Sequence, residues 1–399
     1  MQMETTDVIV VGLGAVGSAA VYQLAKAGTR VVGIDQLYPP HAMGSSHGDT
    51  RITRTAVAEG LGYVPLVRRS HELWREIEAQ TGRELLVQCG GLVMGVPGST
   101  SQHGIDDFAT ATRAVALASG IAHEVLSADE IRQRFGVFDV TVETGIFEPT
   151  AGYLVASSCI EANLELARLG GATLRMGEQV IRWTSSGSTV QVQTDRETYS
   201  AASLVIAAGP WVSALLPGLA SLFSVQRQVL YWFEVTESYE RLRALPVFIW
   251  MQGSEPGDYA YGFPAVNGPA GGVKVATETF ARATTPTDVD RDVAPEEAKQ
   301  MYARHVDGRI RGLAPRCVRA EVCLYTVTPD FGFVLDVHPV HSNVVVASPC
   351  SGHGFKHSAA VGECIAHLAT GSDSPTDLSE FRLSRLQSGY GRNSKDSPT

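Results

Sequence analysis

The chain has 399 residues, of which 44% are hydrophobic and 19% charged, and its formal net charge is −10. This composition is typical of a globular protein with a large core, and the negative charge argues against nucleic acid or an anionic membrane as the main partner. The sequence has no uninterrupted apolar run long enough for a membrane span, no basic start typical of a secretion signal and no CxxC spacing among its six cysteines, so we expect a cytoplasmic protein.

The N-terminal segment predicts a βαβ unit. Residues 7–11 (DVIVV) are β-branched and apolar, as expected of a buried parallel strand, residues 18–27 indicate a helix, and residues 30–34 (RVVGI) indicate a second strand. The motif GLGAVG at residues 12–17 connects the first strand to the helix. A glycine-rich turn in this context favours an adenine dinucleotide as the ligand.

Each glycine of this motif has its own structural role. Gly12 permits the tight turn, Gly14 allows a pyrophosphate to approach the backbone, and Gly17 lets the helix pack against the strand. Asp35 ends the second strand, where its carboxylate can accept hydrogen bonds from ribose hydroxyls. The alternative interpretation is a glycine turn with a purely structural role.

The middle of the chain predicts a lobe of different character. Alternating apolar and aromatic residues over 225–275 indicate an antiparallel sheet. Gly209 follows a predicted strand at 204–208 and could lie against a flavin or a ribose. The other predicted elements are helices over 66–80, 154–169 and 292–306 and strands over 90–95, 173–176 and 190–193.

The C-terminal part repeats the arrangement of the N-terminal motif. A buried strand at 344–347 leads into SGHGFK at residues 351–356, and a helix is predicted over 358–369. A second glycine turn of this kind is expected when one nucleotide-binding domain is built from both ends of the chain. That organisation favours FAD over NAD, because an isolated NAD domain would complete its sheet without a long insertion. The tail from residue 387 is polar, and we expect it to be loose.

Four further segments follow the N-terminal glycine motif in the order in which they occur in one known family. They are GSSHGDTRITR at residues 44–54, YGFP at 261–264, CLY at 323–325 and SGHGFK at 351–356. With them the chain resembles the monomeric sarcosine oxidase and N-methyltryptophan oxidase family of flavoproteins over nearly its whole length.

The resemblance implies an α/β protein with a glutathione-reductase-like FAD-binding domain and a mostly antiparallel substrate domain of α+β type, with the flavin between them. We expect the FAD-binding domain to be discontinuous, with residues 1–80, 146–222 and 320–390. The substrate domain would then comprise residues 81–145 and 223–319.

The resemblance also implies an FAD-dependent amine oxidase, which oxidises the C–N bond of a small secondary amino acid such as sarcosine to an imine and reduces O₂ to H₂O₂. We expect a monomer whose partners are the amine and O₂, without a metal, nucleic acid or membrane. The alternatives are oxidation of a cyclic imino acid resembling pipecolate or proline, oxidation of a specialised secondary-metabolite amine, a flavin dehydrogenase with another electron acceptor, and a flavin protein that has lost catalysis.

Cys323 stands where the family carries the cysteine that is joined to the flavin through a thioether. This chemistry needs a thiolate, which nearby cationic groups would favour by lowering the thiol pKa. On sequence alone Cys323 would be a small buried hydrophobe, and Cys350 is a rival for the attachment. The resemblance also places Gly352 and Gly354 beside the cofactor.

Arg54 and Lys356 match the family positions that bind the substrate carboxylate. Lys356 is also expected to lie beside the cofactor. A guanidinium forms a fork that fits two carboxylate oxygens, and an ammonium adds a compact charge. The alternative is a solvated surface pair. The resemblance places Arg51 against the flavin ring, and His47 completes the same loop, although an ordinary loop histidine remains an alternative.

Lys274 matches the lysine that, in the family, lies near the flavin and promotes its reaction with O₂. A positive charge there would stabilise developing superoxide. Tyr261 and Tyr325 are expected to wall the substrate cavity, with ordinary core aromatics as the alternative.

Glu278 departs from the family, whose members carry an active-site histidine at this position. The sequence has no histidine from 124 to 304. One hypothesis is that Glu278 attracts a cationic group of the substrate or holds the amine, and the alternative is an ordinary exposed glutamate.

Overall fold

The computed structural model describes residues 4–96, 98–99, 102–255, 257–280 and 283–386. The strands of this part of the chain are β1 Glu4–Val11, β2 Val31–Asp35, β3 Thr50–Thr53, β4 Leu86–Val87, β5 Gly91–Gly95, β6 Glu124–Leu126, β7 Thr144–Glu148, β8 Gly152–Val155, β9 Thr173–Met176, β10 Val180–Ser186, β11 Thr189–Thr194, β12 Thr198–Ile206, β13 Ser224–Val235, β14 Val247–Met251, β15 Tyr259–Gly262, β16 Val273–Ala276, β17 Ala283–Thr284, β18 Leu313–Val327, β19 Val334–Val337 and β20 Val344–Ser348. Its α-helices are α1 Ala15–Lys26, α2 Tyr63–Thr81, α3 Phe108–Ala118, α4 Ala128–Phe135, α5 Ala156–Leu169, α6 Val212–Leu215, α7 Tyr239–Arg243, α8 Pro295–His305 and α9 Ser358–Thr370. None of these helices combines the length and the hydropathy that crossing a bilayer requires.

The first sheet is assembled from distant parts of the chain, as the two glycine turns predict. Its order is β10-β11-β12-β1-β2-β9, and β20 adds to β12 and pairs with β19. β1 lies between β2 and β12 and runs parallel to both, and β20 runs parallel to β12. Burial of these apolar strands on both faces requires covering helices. α1 supplies one, packed closely against α5 and α9 in a common apolar core.

The second sheet has nine strands in the order β17-β13-β16-β15-β14-β5-β7-β6, with β18 on the other side of β13. Its pairs are antiparallel except for β14 with β5, which confirms the predicted antiparallel sheet within 225–275. A small antiparallel sheet, β3-β8-β4, lies apart from both.

Two of the predicted domain boundaries fall inside strands. The boundary at 145/146 divides β7, which pairs with β5 and β6, and the boundary at 319/320 divides β18, which pairs with β13. All of these partners belong to the second sheet. We therefore propose to move both boundaries, so that the substrate domain includes β7 to Glu148 and β18 to Val327.

Helix α2 illustrates how local sequence determines an element. Its buried residues recur at intervals of three and four and so share one face of the helix. They include Leu66, Val67, Ser70, Leu73, Trp74 and Ile77. Gly82 ends the helix in the left-handed conformation, with φ of 68°, and its N–H caps the carbonyl of Glu78. The predicted helix over 154–169 begins later, at Ala156, because Gly152–Val155 pairs as a strand with β3 and β4.

Candidate active site

A cavity of about 260 Å³ is lined by residues of both large sheets. At one end it reaches the glycine motif and Asp35, and at the other it reaches Cys323, Tyr325 and Lys356. Residues from the beginning, the middle and the end of the sequence therefore meet around one space.

The glycine motif leaves its backbone close to this space. Gly12 has φ of 90°, and a Cβ there would lie 2.5 Å from the carbonyl oxygen of Ala207. At Gly17, in the first turn of α1, a Cβ would lie 1.7 Å from the carbonyl oxygen of Gly12. Gly14 is the N-cap of α1, which has neither a side-chain cap nor an acidic residue in its first turn. The N–H of Ala15 at this end donates to the Ser46 hydroxyl at 3.4 Å, and the N–H groups and the dipole at such a helix end favour a phosphate.

Asp35 is held in place by backbone donors. Its two oxygens accept hydrogen bonds from the N–H groups of Leu13 (2.7 Å) and Leu37 (2.8 Å). Burial raises the pKa of Asp35, although both hydrogen bonds oppose the shift. The carboxylate lines the cavity with lone pairs to spare, as a ribose diol requires.

The C-terminal glycine turn and Gly209 complete this wall. A Cβ on Gly354 would lie 1.7 Å from the carbonyl oxygen of Pro349, so only glycine permits this turn. The Ser348 hydroxyl lines the cavity and is buried without a hydrogen-bond partner among the described residues. Gly209 lines it three residues after β12, with φ of 52°, and no heavy atom of the described residues lies within 4 Å of where a Cβ would stand. This part of the cavity therefore offers N–H donors at the start of α1, backbone that is not covered by side chains, and the unpaired hydroxyl of Ser348. An extended dinucleotide fits such a surface.

Cys323 is buried on β18 beside a guanidinium. Its sulfur lies 3.7 Å from Nη2 of Arg51 and 3.6 Å from the carbonyl oxygen of Ser45. Burial raises the pKa of Cys323, and the charge of Arg51 lowers it as expected of a nearby cation but offsets only part of the rise. Cys350 lines the same cavity, and its sulfur accepts a hydrogen bond from the N–H of Thr326.

Arg54 and Lys356 meet at a third residue, Glu59. Nη2 of Arg54 donates to Oε2 of Glu59 at 3.0 Å, and Nζ of Lys356 lies 3.9 Å from Oε1. Nζ of Lys356 also donates to the carbonyl oxygen of His353 at 2.8 Å. All three charged side chains are buried, which excludes the solvated surface pair. Burial would raise the pKa of Glu59, but the charges of Arg54 and Lys356 outweigh it, so this pKa lies well below its usual value.

His103 connects Glu59 to Glu278. Its Nδ1 lies 3.2 Å from Oε1 of Glu59, and its Nε2 lies 3.0 Å from Oε2 of Glu278. Burial would lower the pKa of His103, but the two carboxylates raise it to about 9. Glu278 is only 4% exposed and also accepts hydrogen bonds from the hydroxyl of Tyr259 (2.6 Å) and from Gln102 (3.4 Å). The alternative of an ordinary exposed glutamate is therefore wrong.

Sequence reasoning missed Glu59, Gln102, His103 and Tyr259. His103 lies in the irregular segment between β5 and α3 and has φ of 52°, so no periodic pattern draws attention to it. The signal that was available is Glu59, an acidic residue five positions after Arg54 in an otherwise apolar stretch.

Tyr261 and Tyr325 lie side by side in the cavity wall. Their hydroxyl oxygens are 3.4 Å apart, and both residues line the cavity. Burial raises the pKa of both phenols, so both remain neutral and can donate hydrogen bonds at neutral pH.

Arg51 lies in the cavity wall, whereas Lys274 and His47 lie behind this wall. Arg51 donates to the carbonyl oxygens of Thr50 (3.0 Å) and Ser45 (3.1 Å). Lys274 is buried, and its Nζ donates to the carbonyl oxygens of Gly48 and Thr50, each at 2.6 Å. Burial, with Arg51 adding to it, lowers the pKa of Lys274 well below its usual value.

His47 is also buried, with Nε2 3.8 Å from Oε2 of Glu321. Burial, with the charge of Arg51 adding to it, lowers the pKa of His47 to about 3, so the ring is neutral. A neutral imidazole there can support the loop that carries Arg51 without adding charge.

Comparison with known proteins identifies relatives over nearly the whole chain. A family model described as FAD dependent oxidoreductase matches residues 7–368. Monomeric sarcosine oxidase of Streptomyces avermitilis is 39% identical over 96% of this chain and 98% of that protein. N-methyl-L-tryptophan oxidase of Yersinia pestis is 34% identical over 96% of this chain and 99% of that protein.

Solved structures share the fold. NikD, described as an unusual amino acid oxidase essential for nikkomycin biosynthesis, superposes with a TM-score of 0.83 at 24% identity, covering 95% of this chain and 98% of that one. L-proline dehydrogenase from P. horikoshii superposes with a TM-score of 0.80 at 19% identity, covering 97% and 99%. The predicted α/β fold class is thereby confirmed.

Proposed function

Because the chain belongs to the FAD-dependent oxidoreductase family and is related over nearly its whole length to monomeric sarcosine oxidases, we propose that it oxidises the C–N bond of a small N-methyl amino acid to an imine. Oxygen is the proposed electron acceptor, reduced to H₂O₂, and the imine is hydrolysed in water. We also propose that the protein is a monomer, since the relative from Streptomyces avermitilis is named monomeric. The observation that carries the proposal is the buried pair Arg54 and Lys356 at one end of the cavity.

FAD fits the cavity with its pyrophosphate at the end formed by the N-terminal glycine motif and its ring system towards Cys323. Gly12, Gly14 and the N-terminus of α1 would hold the pyrophosphate, Asp35 the ribose, and Gly352 and Gly354 would border the ring system. When bound, the flavin supplies the two-electron acceptor of the reaction. The protein supplies orientation and charge.

We propose that Arg54 and Lys356 bind the substrate carboxylate. A buried guanidinium and a buried ammonium offer charge-assisted hydrogen bonds that are stronger than bonds between neutral groups. Both cations now share Glu59, so a substrate carboxylate competes with this side chain for their donors. Burial lowers the pKa of Lys356 to about 8, while Glu59 opposes the shift, and an incoming carboxylate would further favour the charged form.

The substrate amine must react in its neutral form, because a protonated nitrogen has no lone pair to stabilise the forming iminium. Arg54 and Lys356 favour the neutral amine, since nearby positive charges lower its pKa. Tyr261 and Tyr325 cover the same space with aromatic rings and limit the access of water. Positioning of the substrate is thus the main contribution of these side chains.

Peroxide assays with a set of amines test this function. We expect H₂O₂ from sarcosine, with weaker or no turnover of N-methyltryptophan, pipecolate or proline by the same preparation. Turnover of pipecolate or proline alone would favour the cyclic imino acid alternative. Reduction of an artificial dye without reaction with O₂ would favour a dehydrogenase. No turnover of any secondary amine would overturn the proposal.

We propose that Lys274 in its protonated form promotes the reaction with O₂, because a positive charge stabilises developing superoxide and negative charge forming nearby favours protonation of a lysine whose pKa is lowered. Replacing Lys274 with Met should slow reoxidation by O₂ by roughly 100-fold or more, the usual effect of removing one electrostatic stabiliser. Stopped-flow mixing of substrate-reduced enzyme with O₂ measures this step. The rate of anaerobic reduction by sarcosine serves as the internal control, and an equal loss in both half-reactions would contradict a specific role with O₂.

A further inference from the structure

We propose that His103 is a specificity-determining residue: it is the counter-ion of Glu278 and prevents this carboxylate from attracting substrates with a second cationic group. This inference rests on the proposed function and deepens it. The substrate class that follows is a secondary amine with one carboxylate and a neutral side chain.

The contacts of Glu278 support this role. His103 is the one cation within ion-pair distance of Glu278 among the residues that the structure describes, with Nε2 to Oε2 at 3.0 Å. Tyr259 and Gln102 donate to the same carboxylate but are neutral. The side chains of His103 and Glu278 are only 4% and 2% exposed, so solvent screens their charges weakly. Loss of the imidazolium would therefore leave an uncompensated anion.

The pair faces the space available to a ligand. His103, Glu278 and Gly352 all line the cavity. A Cβ at Gly352 would lie 2.9 Å both from Oε1 of Glu278 and from Nε2 of His103. Because residue 352 has no side chain, the carboxylate of Glu278 and the imidazole of His103 are not covered at this turn, which also carries Lys356.

The net charge of the buried side chains around Glu59 and Glu278 is the charge that one substrate carboxylate would neutralise. Arg54, Lys356 and His103 carry three positive charges and Glu59 and Glu278 two negative charges, which leaves 3 − 2 = +1. A monocarboxylate with a neutral amine brings this sum to zero. A basic side chain would leave a buried positive charge, which is costly without a partner.

The same cluster does not favour a metal ion. Ligand atoms of Glu59, His103 and His353 lie within 4.8 Å of one another, a spacing that could hold a cation. However, Arg54 and Lys356 already contact Glu59, and both nitrogens of His103 face carboxylates. A divalent cation would have to enter beside these positive charges and displace His103 from its partners.

The test compares two ligands of equal shape and different charge. Guanidinoacetate is cationic beyond its carboxylate, and ureidoacetate is its neutral counterpart. Titration calorimetry on the holoenzyme at about pH 7.5, where the guanidinium is fully charged, gives the ratio of the two affinities. The proteins are the natural chain, His103→Gln, Glu278→Gln and the double variant, with His123→Gln as a control that lies away from the cavity.

We expect His103→Gln to raise the affinity for guanidinoacetate relative to ureidoacetate by roughly tenfold or more, as an unmasked buried anion should. Glu278→Gln should shift the ratio the opposite way, and the double variant and His123→Gln should stay within about threefold of the natural chain. A merely structural role would weaken both ligands alike and give no opposite signs.

Shifts in the same direction for both single variants, an unchanged ratio in His103→Gln, or no binding of either ligand by any of the proteins would overturn the inference. Turnover of sarcosine by the natural chain is measured in parallel. Turnover without the expected ratios removes only the inference about His103. The expected ratios without turnover of any secondary amino acid remove the proposed function and leave the charge pairing in place.

Discussion

Replacing Arg54 with Met is expected to lower kcat/KM for sarcosine by roughly 150- to 5,000-fold, because removing one partner of a buried ion pair, here the proposed pair with the substrate carboxylate, typically costs about 3–5 kcal/mol. The guanidinium donates to Glu59 at 3.0 Å and has the geometry for two parallel hydrogen bonds to a substrate carboxylate. Steady-state kinetics over a wide range of sarcosine concentrations measures the effect. Binding of a non-oxidisable carboxylate such as acetate should weaken in parallel.

Two controls separate binding from folding in this experiment. Arg182→Met removes an exposed arginine that contacts Gln193, and its kinetics should equal those of the natural chain. The flavin content and melting temperature of Arg54→Met show whether the loss of the ion pair has damaged the fold, and rates are expressed per bound flavin. A loss below about tenfold per flavin would contradict a carboxylate-binding role for Arg54.

Replacing Cys323 with Ser is expected to abolish covalent attachment of the flavin, which we propose occurs through this sulfur. Acid precipitation of the natural chain should give a yellow pellet, and its intact mass should exceed that of the polypeptide by the mass of FAD. The Cys323→Ser pellet should be colourless, with the flavin in the supernatant. The physical reason is that Cys323 is buried in the cavity wall with Arg51 beside it, so its thiolate, once formed, has a cationic partner.

Cys350→Ala is the matched control, because Cys350 lines the same cavity. This variant should keep both the coloured pellet and the added mass. A colourless Cys350→Ala pellet together with a yellow Cys323→Ser pellet would transfer the attachment to Cys350. Colourless pellets from all three proteins would show that the flavin is held without a covalent bond.

The dinucleotide end of the cavity could be predicted from the sequence because its determinants are local. Gly12 and Gly14 lie between β1 and α1, Gly17 lies in the first turn of α1, and Asp35 ends the next strand. Hydrophobic periodicity fixes such an arrangement without knowledge of distant contacts. The second glycine turn could be predicted for the same reason.

The charge network could not be predicted because it depends on side chains that meet only in the folded chain. Glu59 follows β3, His103 lies before α3, and Glu278 follows β16. The resemblance implies that Glu278 stands where the family carries a histidine, but the sequence does not show that the imidazole of His103 contacts this carboxylate. The net rise of the Cys323 pKa could not be predicted for a related reason, since the cost of burial depends on the whole surrounding wall.

Anaerobic titration of the purified protein with sarcosine tests the central claim most directly, namely that a flavin in this cavity takes electrons from an amino acid held by Arg54 and Lys356. We predict that the visible flavin absorbance is bleached by one equivalent of sarcosine and returns with O₂ as H₂O₂ appears. A protein that contains no flavin and takes up no added FAD, or one whose flavin spectrum is unchanged by every secondary amino acid, would contradict the account.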